Sequence, residues 1–397
     1  MNIATIGEEI KVSFKPDKNS DYKYIALEHV DPDALYINGY GSSSEVDSNK
    51  YHFKTGDILF GTLRPYFRKL VIAPFDGVCS TEFSVIRAKK KEDKEFLFYC
   101  LANPKFIEFA TTNSNGARPR TKWKLFSEFG VSDHDEYARV DIGKKLSDFD
   151  RLIENNNRRI ELLEEAAHQL YKEWFVRLRF PGHEHVLIVN GVPDGWHKTP
   201  ISEAPVQIID GDRGKNYPKQ DELLESGFCL FLSAKNVTRT GFNFSERQYI
   251  TSFKDNLLRK GKLARGDVVL TTRGTIGNVA YYNNNVPYEH LRINSGMVIF
   301  RATNKNLTPS FLYQYFRSDE FNLTVNTLRS GAAQPKLPIK DINTIKILQP
   351  APAIMEQFDA ISSVLYEQVS KLNQYNQHLS SARDTMLPRL INKRSTA

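Results

Sequence analysis

Residues 146–174 read LSDFDRLIENNNRRIELLEEAAHQLYKEW, and residues 358–386 read FDAISSVLYEQVSKLNQYNQHLSSARDTM. In the first stretch Leu146, Phe149, Ile153, Asn156, Ile160, Leu163, Ala167, Leu170 and Trp174 step by 3, 4, 3, 4 throughout. In the second, Phe358, Ile361, Leu365, Gln368, Leu372, Tyr375, Leu379, Ala382 and Met386 keep the same steps at a constant offset of 212. That spacing lays one apolar stripe along a helix, the a/d seam of a coiled coil. Even the polar interruption recurs, with Asn156 matched by Gln368. Two seams in phase point to a duplicated chain.

Each helix needs cover for its seam. At 1.5 Å per residue, some 35–40 residues form a rod of roughly 50–60 Å. Two such rods in one chain most simply pack on each other, with a seam Asn or Gln helping to fix register. The alternative is that each seam packs on a different protein. Gly143 costs about 1 kcal/mol inside a helix and predicts a kink or a start just after it.

Outward from the helices the repeat continues. Gly56-Asp57-Ile58-Leu59 returns as Gly266-Asp267-Val268-Val269, offset by 210. Ser114-Asn115-Gly116-Ala117-Arg118-Pro119 returns as Arg329-Ser330-Gly331-Ala332-Ala333-Gln334-Pro335, and Tyr24-Ile25-Ala26-Leu27 resembles Phe231-Leu232-Ser233-Ala234. The drift in offset is that of loop insertions, and 210–227 reads as extra loop in the second copy. Short apolar runs predict strands at 57–60, 70–72, 83–86, 267–270, 279–282 and 297–300, and helices at 95–111 and 309–326. Strands first and helices later in each copy predict an α+β fold with a pseudo-twofold internal repeat.

The 397 residues suffice for two to three domains with cores of their own. Hydrophobic and charged fractions of 40% and 25% argue against a disordered or fibrous chain. No apolar run approaches the roughly 18–20 residues that span a bilayer. The first residues, with Glu8 and Glu9, lack the pattern of a secretory signal. Cys79, Cys100 and Cys229 form no CxxC pair and read as buried thiols in a reducing, cytoplasmic setting. A net charge of +7 suits a nucleic-acid partner without requiring one.

Catalytic signatures are missing. There is no Asn/Asp-Pro-Pro-aromatic loop to hold a flipped amine, no convincing Gly-rich cofactor turn and no Walker lysine. His183-Glu184-His185 lacks further ligands at useful spacing, so no metal is expected. Asp33 with Glu92-Asp93-Lys94 is spaced too widely for a nuclease site and reads as solvated charge. The loops say more. Thr62–Lys69 and Arg118–Lys124 in the first copy match 271–278 and 329–336 in the second, and all mix Arg and Lys with Gln, Asn, Thr or Gly. Arg can bond guanine bidentately, Gln or Asn adenine, and Lys phosphates. The DNA-contact candidates are therefore Arg64, Tyr66, Arg68, Lys69, Arg118, Arg120 and Lys122, with Thr272, Arg273, Asn278, Arg329, Gln334 and Lys336.

The order of these motifs resembles the specificity subunits of type I restriction-modification systems over nearly the whole chain. The resemblance is carried by the two Gly-Asp repeats, Arg273-Gly274-Thr275-Ile276-Gly277, Gly331-Ala332-Ala333-Gln334-Pro335-Lys336-Leu337, Leu170-Tyr171-Lys172-Glu173-Trp174-Phe175 and Gly191-Val192-Pro193-Asp194-Gly195-Trp196. It implies two target recognition domains, 1–137 and 181–351 (the latter with its linker), and two conserved helices, 138–180 and 352–397, in an antiparallel coiled coil. It implies no catalysis by this chain. Two modification subunits would bring S-adenosylmethionine and methylate adenine; restriction subunits would add ATP- and magnesium-dependent cleavage of double-stranded DNA. The first copy departs from the pattern, since Gly61-Thr62-Leu63-Arg64-Pro65-Tyr66 replaces the Arg-Gly-x-Ile-Gly turn. The expected function is to read a bipartite, asymmetric target, with the helices as a ruler between half-sites. The competing expectation is a coiled-coil scaffold whose paired domains bind proteins.

Overall fold

The runs Ile58–Gly61 and Phe83–Ala88 are nearly continuous apolar strands because both their faces are covered. Ile58, Phe60 and Ile86 point into one core shared with helices; Leu59 and Val85 point into another, shared with a second sheet. The computed structural model describes residues 1–33, 35–114, 116, 118–244, 246–328 and 335–392. It divides into two compact units, one made of Met1–Asn157 with Gln374–Ala397, the other of Arg158–Asn373. These units cut across the four segments expected from the sequence, because each long helix contributes to both.

In the first unit an antiparallel sheet has the order Gly7–Ile10, Phe83–Ala88, Ile58–Gly61, Leu70–Ile72. The second unit repeats it with Val206–Asp210, Met297–Ala302, Val268–Thr271 and Val279–Tyr281. Its faces alternate alike: Val268, Leu270, Val298 and Phe300 face the helical core, while Val269, Met297 and Ile299 face the smaller sheet. That smaller sheet is mixed in both units. Lys23–Ile25 runs parallel to Gly77–Ser80, and Cys229–Leu232 runs parallel to Leu291–Ile293. The strand Lys50–Phe53 pairs with Gly77–Ser80, whereas in the second unit the corresponding pairing shrinks to a single bridge, Lys262 to Arg292.

The helical stretch expected at 95–111 is two helices, Lys94–Ala102 and Pro104–Thr112. Pro104 cannot continue a helix, and the Asn103 side chain accepts the Lys105 N–H to cap the next one. The stretch 309–326 divides likewise, at Ser318, into Pro309–Arg317 and Asp319–Leu328. Its hydroxyl accepts the Phe321 N–H at 3.2 Å. The first long helix spans Glu136–Tyr171, so it neither starts nor stops at Gly143. A Cβ there would sit 2.8 Å from the Phe96 backbone nitrogen. Glycine is what lets the two helices touch.

The expected seam of the first long helix is buried or half-buried at every position from Leu146 to Trp174. The second helix, Pro352–Ile391, differs. Phe358, Leu365, Leu372, Leu379 and Met386 are covered, but Ile361, Gln368, Tyr375 and Ala382 are exposed. Their inward places go to the next residues, Ser362, Val369, Asn376 and Arg383. Asn156 consequently meets Asn376 rather than Gln368, donating to it at 2.9 Å, while Asn376 donates to Asn157 at 2.8 Å. Arg383 lies against Asp150. Asn156 with Asn376 and Asp150 with Arg383 set the helices antiparallel within the first unit. In the second unit Phe358 stacks edge-on against Phe175, with 4.9 Å between ring centroids.

Candidate nucleic-acid interface

The repeated Gly-Asp pair builds the frame for the loops. Asp57 and Asp267 are buried, and each takes a bidentate fork from an arginine on the neighbouring strand, Arg87 or Arg301, at 2.7–2.8 Å. Each also accepts the backbone N–H three residues upstream, from Lys54 or Ala264, at 2.7 Å. The hydrogen bonds to Asp57 and Asp267 push both guanidinium groups above their usual range. Gly56 and Gly266 adopt φ of +90° and +95°, which a side chain would strain.

Beyond the frame the strand end is pinned the same way in both units. Thr62 gives its N–H and its hydroxyl to the Glu82 carbonyl at 2.7 and 2.8 Å. Thr272 gives both to the Gly296 carbonyl at 2.8 and 3.0 Å. Next along the chain, Leu63 bridges to Arg120 and Arg273 bridges to Lys336. The loop after the strand and the loop after the helices therefore meet side by side at one end of each sheet. The first unit also shows why its departure from the Arg-Gly-x-Ile-Gly turn is tolerated. Arg64 holds the left-handed conformation, φ +51°, that Gly274 holds at φ +71°. Its N–H is tied to the Pro119 carbonyl at 2.7 Å.

Several expected contact residues have structural partners instead. Arg68 is buried, 3.4 Å from Asp384, and Lys69 donates to the Leu27 carbonyl at 2.7 Å. Thr272 is buried by its pinning bonds. Asn278 spends its amide on the Val237 carbonyl at 2.9 Å. The structure brings together Arg64, Tyr66, Arg118, Arg120 and Lys122 in one unit, and Arg273 and Lys336 in the other; all are exposed except the half-buried Arg64. Arg329 and Gln334 lie outside the described residues.

Four cations of the second unit escaped sequence reading. Asp212 accepts the N–H groups of Gly214 and Arg259, both at 2.8 Å, which joins two loops remote in sequence. Burial pushes its carboxyl up, but these and the Arg213 and Lys260 amides together hold it below the usual range. Around this charged hub Arg213, Lys215, Arg259 and Lys260 are exposed. Arg213 also donates to the Ser295 carbonyl at 3.3 Å, beside Gly296 and hence beside the Arg273 loop. Each pair sits in a Gly-containing charge run, 212–215 and 259–262, but only the fold joins them.

Among the described residues no group of three or more His, Cys, Asp or Glu comes together in a metal-holding cluster. Asp93 is not solvated: it is buried and held by Arg139 at 2.7 Å. The three cysteines are free and buried, and burial pushes the Cys229 thiol up to about 12. No described helix is long and apolar enough to cross a membrane.

A family model described as the type I restriction modification DNA specificity domain matches residues 2–165 and again 196–374. The chain is 24% identical over 332 residues to the type I restriction enzyme MjaIX specificity subunit of Methanocaldococcus jannaschii, covering 82% of this chain and 71% of that one. It is 33% identical over 111 residues to the EcoDI specificity subunit of Escherichia coli, 27% of this chain and 24% of that one. Among solved structures, the S subunit of a type I restriction-modification system from M. genitalium aligns over 100% of this chain and 96% of that one, with a TM-score of 0.56 at 14% identity.

Proposed function

Since the chain belongs to the family of type I restriction modification DNA specificity proteins, we propose that its two units each read one half of a bipartite, asymmetric DNA target. The observation that carries this is the contrast within the repeat. The frame of Asp57 and Asp267, the threonine pins and the loop bridges recur bond for bond. The side chains that frame presents do not recur: the first unit has Leu63, Glu82 and Arg120 where the second has Arg273, Gly296 and Lys336. A fixed scaffold with variable tips suits base readout, whereas phosphate contacts alone would need only positive charge.

The chain's own role is recognition. Adenine methylation belongs, in this proposal, to two modification subunits with S-adenosylmethionine, and cleavage to restriction subunits with ATP and magnesium. Mapping of methylated bases in cells with and without the chain tests this. A two-part methylated motif is expected to vanish on deletion; an unchanged methylation pattern would overturn the proposal. The two long helices set the spacer between half-sites. One heptad added to each lengthens them by about 10 Å, or about three base pairs. The same mapping should show the spacer shifted by that amount, and a spacer indifferent to helix length removes the ruler.

The four cations around Asp212 hold phosphates in this scheme. Replacing Arg213, Lys215, Arg259 and Lys260 by Gln should lower the slope of log affinity against log salt by about 0.9 for each phosphate no longer neutralised. The half-site sequences should stay the same. Anisotropy titrations at several salt concentrations measure the slope. A slope equal to wild type would show that this surface does not meet DNA.

A further inference from the structure

We propose that Glu82 is a specificity-determining residue of the first unit, its carboxylate forming with the Arg120 guanidinium one element that reads a guanine–cytosine pair. The inference rests on the reading of each unit as a DNA half-site reader. Glu82 and Gly296 occupy one place in the repeat, since each offers its carbonyl to both groups of the pinning threonine. Arg120 and Lys336 occupy another, as the bridge partners of Leu63 and Arg273. The first unit thus carries a carboxylate where the second has no side chain.

Glu82 Oε1 accepts from Arg120 Nη2 at 3.1 Å, with the two side chains 33% and 49% exposed. This is a single hydrogen bond. It leaves the second carboxylate oxygen as an acceptor and further guanidinium N–H groups as donors. In the major groove guanine offers two acceptors, N7 and O6, and its cytosine partner offers one donor, N4–H. An arginine and a glutamate held side by side match that pattern with one residue for each base. Elsewhere on DNA a carboxylate meets phosphates and is repelled, so Glu82 weakens any complex in which no base donor faces it. In the second unit, Arg273 and Lys336 have no ion-pair partner among the described residues.

The test selects bound sequences from a pool of randomised duplexes, using the full-length chain assembled with its modification subunits. The variants are wild type, Glu82→Ala, Glu82→Gln and Arg120→Ala. Wild type is expected to require a guanine–cytosine pair at a position of one half-site. Glu82→Ala should reduce that preference roughly ten- to hundredfold and tighten binding to unrelated DNA, while the other half-site is unchanged. Arg120→Ala should relax the same position, and combining it with Glu82→Ala should add little. Glu82→Gln keeps the side-chain length and one acceptor but lacks the charge, so it should relax that position less than Glu82→Ala does. The inference is overturned if both Glu82 variants select the wild-type motif, or if both half-sites weaken together. A wild-type complex that selects no sequence overturns the DNA reading itself, and the inference with it.

Discussion

A chain ending at Asn373 is expected to lose the folded first unit while keeping the second. The residues removed include Leu387 and Ile391, both fully buried in the core that Phe96, Phe106, Phe126 and Leu146 form. Burying two such side chains contributes roughly 3–6 kcal/mol. Arg383 goes as well, taking its ion pair from Asp150, which keeps the Tyr99 hydroxyl. His134 is parted from the Ile391 carbonyl, and Asn103 from Asn392. The combined loss is comparable with the 5–15 kcal/mol by which whole domains are stable. Hydrogen exchange read by mass spectrometry separates the units. Amides of Ile58–Gly61 should exchange freely in the truncated chain, while those of Val268–Thr271 stay protected. Protection of both strands would show that the C-terminal helix is an accessory to the first unit rather than part of its core. Leu387→Ala is the milder version, expected to cost about 2–5 kcal/mol in that unit alone.

That dependence was invisible in the sequence, although the helix itself was plain. Periodicity reports that a face is apolar; it does not report which remote core receives it. The second seam shows a related limit. Ranking by hydrophobicity favours Ile361 and Tyr375, yet the inward places belong to Ser362 and Asn376. Asn376 fits because Asn156 and Asn157 meet it, and Arg383 because Asp150 does. The partner decides those positions, and the partner is absent from any single helix pattern. The strand runs were legible because burial on both faces leaves little choice but Val, Ile, Leu and Phe.

For the candidate interface, some side chains that the sequence offered as DNA contacts have partners within their own unit. Arg68 and Asn278 have the chemistry of DNA contacts and equally that of turn residues. Only the positions of Asp384 and the Val237 carbonyl distinguish the two. The reverse error fell at 210–227, where an apparent insertion carries Arg213 and Lys215. Asp212 draws them beside Arg259 and Lys260 through backbone bonds that composition cannot show. What did survive translation was the recurrence of the frame: Gly56-Asp57 and Gly266-Asp267, with Thr62 and Thr272, make the same bonds in both units.

The sharpest case is the Gly-Asp pair, which carried much of the family resemblance and is wholly structural in its contacts. Asp57→Ala and Asp267→Ala are each expected to destabilise their own unit by about 1–3 kcal/mol, the usual cost of losing hydrogen bonds to a buried carboxylate, since Arg87 and Arg301 are about a third exposed and can turn to water. Three bonds go at once in each case: the two prongs of the arginine fork and the acceptor for the upstream N–H. Asn in place of Asp keeps one acceptor but loses the charge, so it should fall between wild type and Ala. Denaturant unfolding followed by unit-specific exchange measures the effect. The competing idea, that a residue so regularly repeated touches DNA, makes the opposite forecast: affinity would fall at unchanged stability. Asp57 is 2% exposed and Asp267 1%, so neither can reach a base without unfolding. Because Ile58–Gly61 and Val268–Thr271 lead straight into Thr62 and Thr272, a slackened frame also releases the reading loops. Each variant should therefore relax recognition of one half-site, its own, at temperatures below its melting point, with the other half-site read as in wild type.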